Sequence, residues 1–97
     1  MIIANIRIIV RCYEKHTIST SAFLSWIAEA KNANWKSFTD IKQRFSSADP
    51  ISGNRAVINI KGKKYRLVIK INYNVGIVEI QFAGTHADYS KIDAETI

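Results

Sequence analysis

The sequence predicts an α+β fold in which two helices pack on one face of a mostly antiparallel four-stranded sheet. The order is β-α-α-β-β-β, followed by a short C-terminal helical turn. Three observations support this prediction. Apolar residues recur at helical spacing before a loop rich in Ser, Gly and Asn, and after that loop apolar and polar residues alternate with a period of two. The length of 97 residues, with 47% hydrophobic residues and one Pro, fits a single domain over residues 1–97.

The first half of the chain predicts one strand and two helices. Residues Ile2 to Arg11 are rich in Ile and Val, with polar residues between them, which favours a strand. Residues 19–21 read Ser-Thr-Ser and offer N-caps to a helix that ends near Asn32. A second helix is predicted to begin at Thr39, with Ile41 on its buried side.

The second half predicts a three-stranded meander over residues 56–61, 65–72 and 78–82. A two-residue turn at Gly62-Lys63, with Gly at the first central position, would place Asn59 opposite Arg66. A second turn at Asn74-Val75 would keep the main apolar set of the meander on one face, with Val68 and Ala83 on the other. The pairs expected from that turn are Ile71 with Val78, Ile69 with Ile80, Leu67 with Phe82 and Arg66 with Ala83.

Positive charge is concentrated in this meander. The chain has 14 Lys and Arg against 8 Asp and Glu, a net charge of +6, yet residues 50–78 contain no acid. A local field of this kind favours a polyanion such as nucleic acid, an acidic membrane surface or an acidic protein, although a charge run can also serve solubility alone. The cations of this stretch are Arg55, Lys61, Lys63, Lys64, Arg66 and Lys70.

Several classes of site and location are disfavoured by the sequence. A lone Cys12 leaves no internal disulfide and no Cys-based zinc site, and the two His residues lie far apart, so neither a metal nor another cofactor is expected. Neither the P-loop nor the Rossmann glycine pattern occurs. No long apolar run suggests a signal peptide or a membrane span, which makes the cytoplasm the expected compartment.

The predicted register gathers several cations with an imidazole. It brings Gly84-Thr85-His86 alongside Tyr65, Lys64 and Lys63, so that Lys61, Asn59 and Arg66 surround one patch. Such a patch suits the cleavage of RNA through its own 2′-hydroxyl, because the substrate then supplies the nucleophile. Arg66 would neutralise charge on the phosphate, His86 would move a proton, and Tyr89 or Tyr65 would stack on a base, orient the ribose or transfer a proton.

The same residues carry a resemblance to a known family. The stretches Asn-Arg-Ala-Val-Ile-Asn-Ile-Lys-Gly-Lys-Lys-Tyr-Arg-Leu-Val, from Asn54, and Gly-Thr-His-Ala-Asp-Tyr-Ser-Lys-Ile-Asp, from Gly84, resemble the HigB family of bacterial toxins within the RelE-like superfamily. The resemblance implies a RelE-like fold and the cleavage of messenger RNA on the ribosome. It also implies that Arg66 contacts the scissile phosphate, that His86 occupies a catalytic position, and that Tyr89 is the C-terminal aromatic residue of the site.

The resemblance further implies the partners of the protein. These are messenger RNA, the ribosome and a HigA-type antitoxin with a helix-turn-helix domain, with DNA reached only through the antitoxin. The residues expected to bind RNA are Arg55, Asn59, Lys61, Lys63, Lys64, Tyr65 and Lys70. A non-catalytic RNA- or ribosome-binding module with the same basic face is the alternative.

Overall fold

The computed structural model describes residues 1–97 and contains five strands and four α-helices. The strands are β1 (Ile2–Ala4), β2 (Asp49–Ile51), β3 (Arg55–Ile60), β4 (Tyr65–Asn72) and β5 (Ile77–Thr85). The helices are α1 (Arg7–Lys15), α2 (Thr20–Asn32), α3 (Phe38–Arg44) and α4 (His86–Tyr89). The spatial strand order is β1-β5-β4-β3-β2, and only the β1–β5 pair is parallel. The α+β class is therefore confirmed, whereas the predicted four strands are corrected to five.

The segment predicted as one long first strand forms β1 and then α1. Asn5 has a positive φ of 62°, a backbone conformation that Asn tolerates, and lies between the two elements. Ile9 and Cys12, three residues apart, are the buried residues of α1, which packs against β5. The strand prediction was wrong because the β preference of Ile and Val is weak and depends on tertiary context.

The two predicted helices are present, and the loop after them contains an additional strand. The N-terminus of α2 is at Thr20, but the buried Ser19 hydroxyl donates a hydrogen bond to the His16 carbonyl at 2.6 Å instead of capping the helix. The helix α3 begins at Phe38, one residue before the predicted start. Strand β2 pairs with β3 at the edge of the sheet, where Pro50 is tolerated.

The hairpin of β3 and β4 has the predicted register. Ile60 pairs with Tyr65 and Asn59 with Arg66. The Lys64 amide donates to the Lys61 carbonyl at 3.3 Å, which closes the turn. Gly62 has a positive φ of 66°, as the predicted turn requires at that position.

A β-bulge changes the second hairpin. The pairs Ile71–Val78 and Ile69–Ile80 follow the prediction, and then the register shifts by one residue. Val68 pairs with Phe82, Leu67 with Ala83, Arg66 with Gly84 and Tyr65 with Thr85. The predicted Leu67–Phe82 and Arg66–Ala83 pairs are therefore wrong, because Gln81 is an extra residue in β5. Phe82 consequently lies on the opposite face from Ile80.

The sheet has apolar residues packed on both faces. The larger core lies between the sheet and the helices and includes Phe23, Ile58 and Ile69. On the other side, which we call the second face, Val57, Val68 and Ala94 form a small cluster. The C-terminal segment, residues 90–97, provides Ala94 and Ile97 to this cluster. None of the helices is both long and apolar enough to span a membrane.

Candidate functional site

The centre of the candidate site is Arg66, which lies on the second face of β4. Asn59 of β3 and Gly84 of β5 are its two neighbours across the sheet. Its guanidinium carbon lies 4.9 Å from the centroid of the Tyr89 ring, within range of a cation–π interaction. The chain has one ion pair, between Arg44 and Glu29, so no carboxylate neutralises Arg66. The Nε atom of Arg66 is buried without a hydrogen-bond partner, and the terminal NH2 groups of the guanidinium are the donors that an anion could reach.

Tyr89 reaches Arg66 because the end of β5 and α4 approach each other closely. The Phe82 ring, placed on the second face by the bulge, contacts the Tyr89 ring edge-on at 6.1 Å between centroids. Gly84 lies beside Phe82 and Asp88. A Cβ atom at this position would be 2.7 Å from Phe82 Cζ and 3.2 Å from Asp88 Cβ. A residue without a side chain therefore allows α4 to fold back over β4.

A capping box holds the start of α4. The Thr85 hydroxyl accepts a hydrogen bond from the Asp88 amide at 3.1 Å, and the Asp88 carboxylate accepts one from the Thr85 amide at 3.3 Å. Hydrogen bonding to Thr85, followed by the charges of Lys15 and Lys91, lowers the pKa of Asp88. The first turn of α4 is thus held by two reciprocal hydrogen bonds.

His86 is the first residue of α4, and its side chain is exposed. Its backbone amide donates to the Lys64 carbonyl at 3.2 Å, which ties α4 to the turn between β3 and β4. The predicted register had placed His86 beside Lys63, and the bulge accounts for the difference of one residue. His86 and Tyr89 are three residues apart, a spacing that puts both on the same side of a helical turn. Arg66, Tyr89 and His86 are therefore gathered at one end of the sheet.

The turn contributes the remaining polar groups near this end. Lys61, Lys63 and Lys64 are all exposed, and Asn59 lies beside Arg66 on the second face. These four residues were all predicted to bind RNA, and in the structure they lie at the same end of the sheet as Arg66, His86 and Tyr89. Together they surround Arg66 and His86 with positive charge and hydrogen-bond donors.

Three other predicted RNA-binding residues lie outside this cluster. Tyr65 faces the helices, is only 6% exposed, and has its ring centroid 5.6 Å from that of His16, so it offers no surface for a base. Arg55 pairs with Lys70, four residues from Arg66 along β4, a separation of about 13 Å at the usual strand rise. The guanidinium of Arg55 donates to the Ile97 carbonyl at 2.9 Å and so holds the C-terminal segment. The expectation that all these groups share one patch is corrected accordingly.

A cleft that was not predicted from the sequence lies beside α1, and we call it the α1 cleft. It has a volume of about 280 Å³ and lies next to the end of β5 and α4. Burial, and then the nearby charge of Asp88, raises the pKa of the Cys12 thiol in its wall. The repetition of Arg7, Arg11 and Lys15 at intervals of four residues was a helical signal for this surface. Its lining residues are Ile8, Arg11, Cys12, Lys15, His16, Ala83, Gly84 and Asp88.

Two further features bear on the choice of site. The largest cavity, of about 560 Å³, lies at the other end of the sheet, between Asn54, Asn72 and Glu79, and does not include Arg66 or His86. No group of three or more His, Cys, Asp or Glu side chains is arranged to hold a metal ion. The groups of the cluster can bind an anion through a guanidinium and lysines and can transfer a proton through an imidazole or a phenol.

Comparison with known proteins adds one match. Residues 19–92 match the family model described as HigB toxin, the RelE-like toxic component of a toxin-antitoxin system. The match includes α2, α3, the strands β2 to β5 and α4. It therefore includes every residue of what we call the Arg66 cluster, which consists of Arg66, His86, Tyr89, Asn59, Lys61, Lys63 and Lys64. No curated protein matches the chain.

Proposed function

The chain belongs to the HigB toxin family of toxin-antitoxin systems, and from this premise we propose that it is a ribosome-dependent endoribonuclease. Its substrate would be translated messenger RNA, cut through the 2′-hydroxyl of the RNA itself. The family makes the protein a toxin with an antitoxin partner.

The observation that supports the proposal most directly is the state of Arg66. Arg66 is half-buried, its guanidinium carbon lies 4.9 Å from the centroid of the Tyr89 ring, and it has no acidic partner. A cation that serves only stability is usually exposed or paired, because a buried donor without a partner costs free energy. A phosphate would accept hydrogen bonds from the terminal NH2 groups of the guanidinium, whose planar arrangement it fits.

The reaction requires one bond to form and one to break at phosphorus. The 2′-oxygen attacks the adjacent phosphorus and loses its proton to a base, while the bond from phosphorus to the 5′-oxygen breaks and that oxygen gains a proton from an acid. In our proposal Arg66 stabilises the negative charge that develops on the phosphoryl oxygens. His86 transfers a proton, since imidazole serves as acid or base near neutral pH. Tyr89 holds Arg66 in place and lies where a ribose or base would pass.

The ribosome would contribute the alignment of the message. The Arg66 cluster lies at one end of the sheet, and its His86 and lysine side chains are exposed. A site this open does not enclose its substrate by itself. Proximity and orientation can contribute about 7–11 kcal/mol to a barrier when reactants are held in line. A message held in the decoding site of the ribosome would already have lost the translational and rotational freedom that alignment removes, before the toxin binds.

The antitoxin partner is proposed to be of the HigA type, with a helix-turn-helix domain that contacts DNA. We propose that it covers the Arg66 cluster or displaces part of it, because the concentration of positive charge there favours an acidic segment. Hydrogen exchange of the complex tests this proposal. Protection of the turn at residues 61–64 and of α4 is expected, and protection confined to the helices α2 and α3 would contradict it.

Induction in cells tests the nuclease proposal. The wild type, Arg66→Ala and His86→Ala are expressed, growth is followed, and 5′ ends are mapped on translated messages. New 5′ ends and growth arrest are expected for the wild type, with both lost in the two variants. Lys36→Ala, a change at an exposed lysine between α2 and α3, is the control that should retain both.

Ribosome binding separates this proposal from the alternative, a non-catalytic binding module. Under the proposal, Arg66→Ala and His86→Ala abolish cleavage while the proteins still sediment with ribosomes. If the wild type arrests growth without new 5′ ends, and the variants lose ribosome binding, the protein is a binding module and not a nuclease.

A further inference from the structure

The proposed function leaves open the direction in which the RNA leaves Arg66. Phosphates on either side of the cut could run along β4 towards Lys70, or across the end of the sheet towards α1. We propose that the RNA strand crosses the end of the sheet, from the turn at residues 61–64 over Arg66 to Arg11 and Lys15 on α1. This inference rests on the proposed function and adds a surface that the sequence analysis did not assign to RNA.

The route along β4 is covered by the protein itself. Val68, between Arg66 and Lys70 on the second face, is 0% exposed, and Ala94 of the C-terminal segment packs against it. The end of this segment is held by the hydrogen bond from Arg55 to the Ile97 carbonyl at 2.9 Å. An RNA strand on this route would have to displace an apolar cluster and that hydrogen bond.

The cations at the α1 end of the other route are exposed. Arg11 and Lys15 are exposed, lie one turn apart on α1, and are separated by about 6 Å along the helix axis. Both line the α1 cleft together with Gly84. Because Gly84 is paired with Arg66, the cleft and the guanidinium lie on either side of the same β5 residue. Cations on α1 therefore continue the positive surface of the turn beyond the candidate site.

Two carboxylates lie near this route. Glu14 is three residues from Arg11 on α1, and Asp88 lines the α1 cleft with Lys15. Neither forms an ion pair with these cations, and the Asp88 carboxylate is engaged by the Thr85 amide at 3.3 Å. Like charges four residues apart, such as Arg11 and Lys15, destabilise an isolated helix. A ligand with several negative charges would relieve the repulsion between these two cations.

The salt dependence of RNA binding distinguishes the two routes. The probe is a fluorescein-labelled single-stranded oligouridine, titrated with protein at several salt concentrations and followed by anisotropy. Each lost phosphate contact on a single strand should reduce the slope of log affinity against log salt by about 0.7. Arg11→Gln and Lys15→Gln are each expected to show this reduction, whereas Lys70→Gln should keep the wild-type slope.

A variant that removes a negative charge, and should therefore strengthen RNA binding, provides a second check. Glu14→Gln removes a negative charge from the same turn of α1 and should tighten binding of the oligouridine, while circular dichroism confirms that all four variants fold. A slope that changes with Lys70→Gln and not with Arg11→Gln or Lys15→Gln would overturn the inference. Unchanged RNA binding with weakened antitoxin binding in the α1 variants would also overturn it and would assign α1 to the antitoxin.

Failure of this inference is distinguishable from failure of the proposed function. A wild type that cuts messages in cells while the α1 variants bind RNA normally would refute only the route across α1. A wild type that shows the expected slopes and never produces new 5′ ends would refute only the nuclease.

Discussion

Replacing Gly84 with Ala tests the close approach of β5 and α4 that brings Tyr89 to Arg66. The new Cβ would lie 2.7 Å from Phe82 Cζ, whereas carbon atoms in contact normally stay about 3.5–4.0 Å apart. The Phe82 ring must therefore move by about 1 Å. Ala in place of Gly removes entropy from the unfolded chain, which favours folding by about 0.4–1 kcal/mol where the backbone permits it. Overpacking costs about 1–3 kcal/mol, so we expect a net destabilisation of about 1–2 kcal/mol.

The displaced ring should affect activity more than stability. Phe82 contacts Tyr89, and Tyr89 covers Arg66 at 4.9 Å, so a shift of the first ring moves the surroundings of the guanidinium. A misplacement of about 1 Å at a reacting group can lower the rate about 100-fold. We therefore expect Gly84→Ala to lower the rate of message cleavage by about that factor while the protein remains folded.

Urea denaturation and a cleavage assay on translating ribosomes measure the two effects. The double variant Gly84→Ala with Phe82→Leu removes the atom that the new Cβ would meet, so its loss of stability should be smaller than the sum of the two single losses. Additive losses would show that the contact between these two residues is not the cause. A Gly84→Ala protein with the stability and activity of the wild type would refute the argument for a close approach.

Three more outcomes are expected from burial and hydrogen bonding. Leu67 is 0% exposed in the main core. The substitution Leu67→Ala should therefore lower the free energy of unfolding, measured in urea, by about 2–5 kcal/mol. Because burial raises the pKa of the Cys12 thiol, iodoacetamide should label it slowly in the native protein and rapidly in urea, as mass spectrometry would show. Hydrogen bonding to Thr85 lowers the pKa of Asp88 in the folded protein below its ordinary value of 3.8. The stability contributed by this hydrogen bonding is therefore fully present above the pKa of the unfolded chain. It is lost as the pH falls through the lower pKa of the folded protein. Thr85→Ala should therefore weaken the acid dependence of stability in urea titrations, and an unchanged dependence would contradict this role of the capping box.

The first hairpin could be predicted because its signals are local and agree with each other. Gly62 supplies the positive φ that the turn needs, and the alternation on both sides of it permits only one register with a buried apolar face. The position of Arg66 beside Asn59 follows from that register. The start of α1 could not be predicted in the same way, since Ile and Val between polar residues satisfy a short helix as well as a strand.

The distribution of charge along the sequence indicated less well than the strand register which residues lie near Arg66. Arg55 and Lys70 belong to the same acid-free stretch as Arg66. They nevertheless lie at the far end of the sheet, because they are paired at the opposite end of the β3–β4 hairpin. Sequence proximity does not reveal that Arg55 is used to hold Ile97. Conversely, Arg11 and Lys15 come from the other end of the chain, and they line a cleft with Gly84 because α1 packs against β5.

The bulge at Gln81 explains why the candidate site exists at this end of the sheet. Without the bulge, the side chains of β5 would alternate regularly between the two faces, and Phe82 would face the helices as Ile80 does. The second face would then lack an apolar side chain to support Tyr89. With one extra residue, Phe82 joins Val68 on the second face, and the residue opposite Arg66 becomes Gly84, which has no side chain to obstruct α4. The same shift brings the His86 amide to the Lys64 carbonyl. A single inserted residue thus accounts for the support beneath Tyr89, the space above Arg66 and the position of His86, which is why the site depends on the register of β5 more than on any charge.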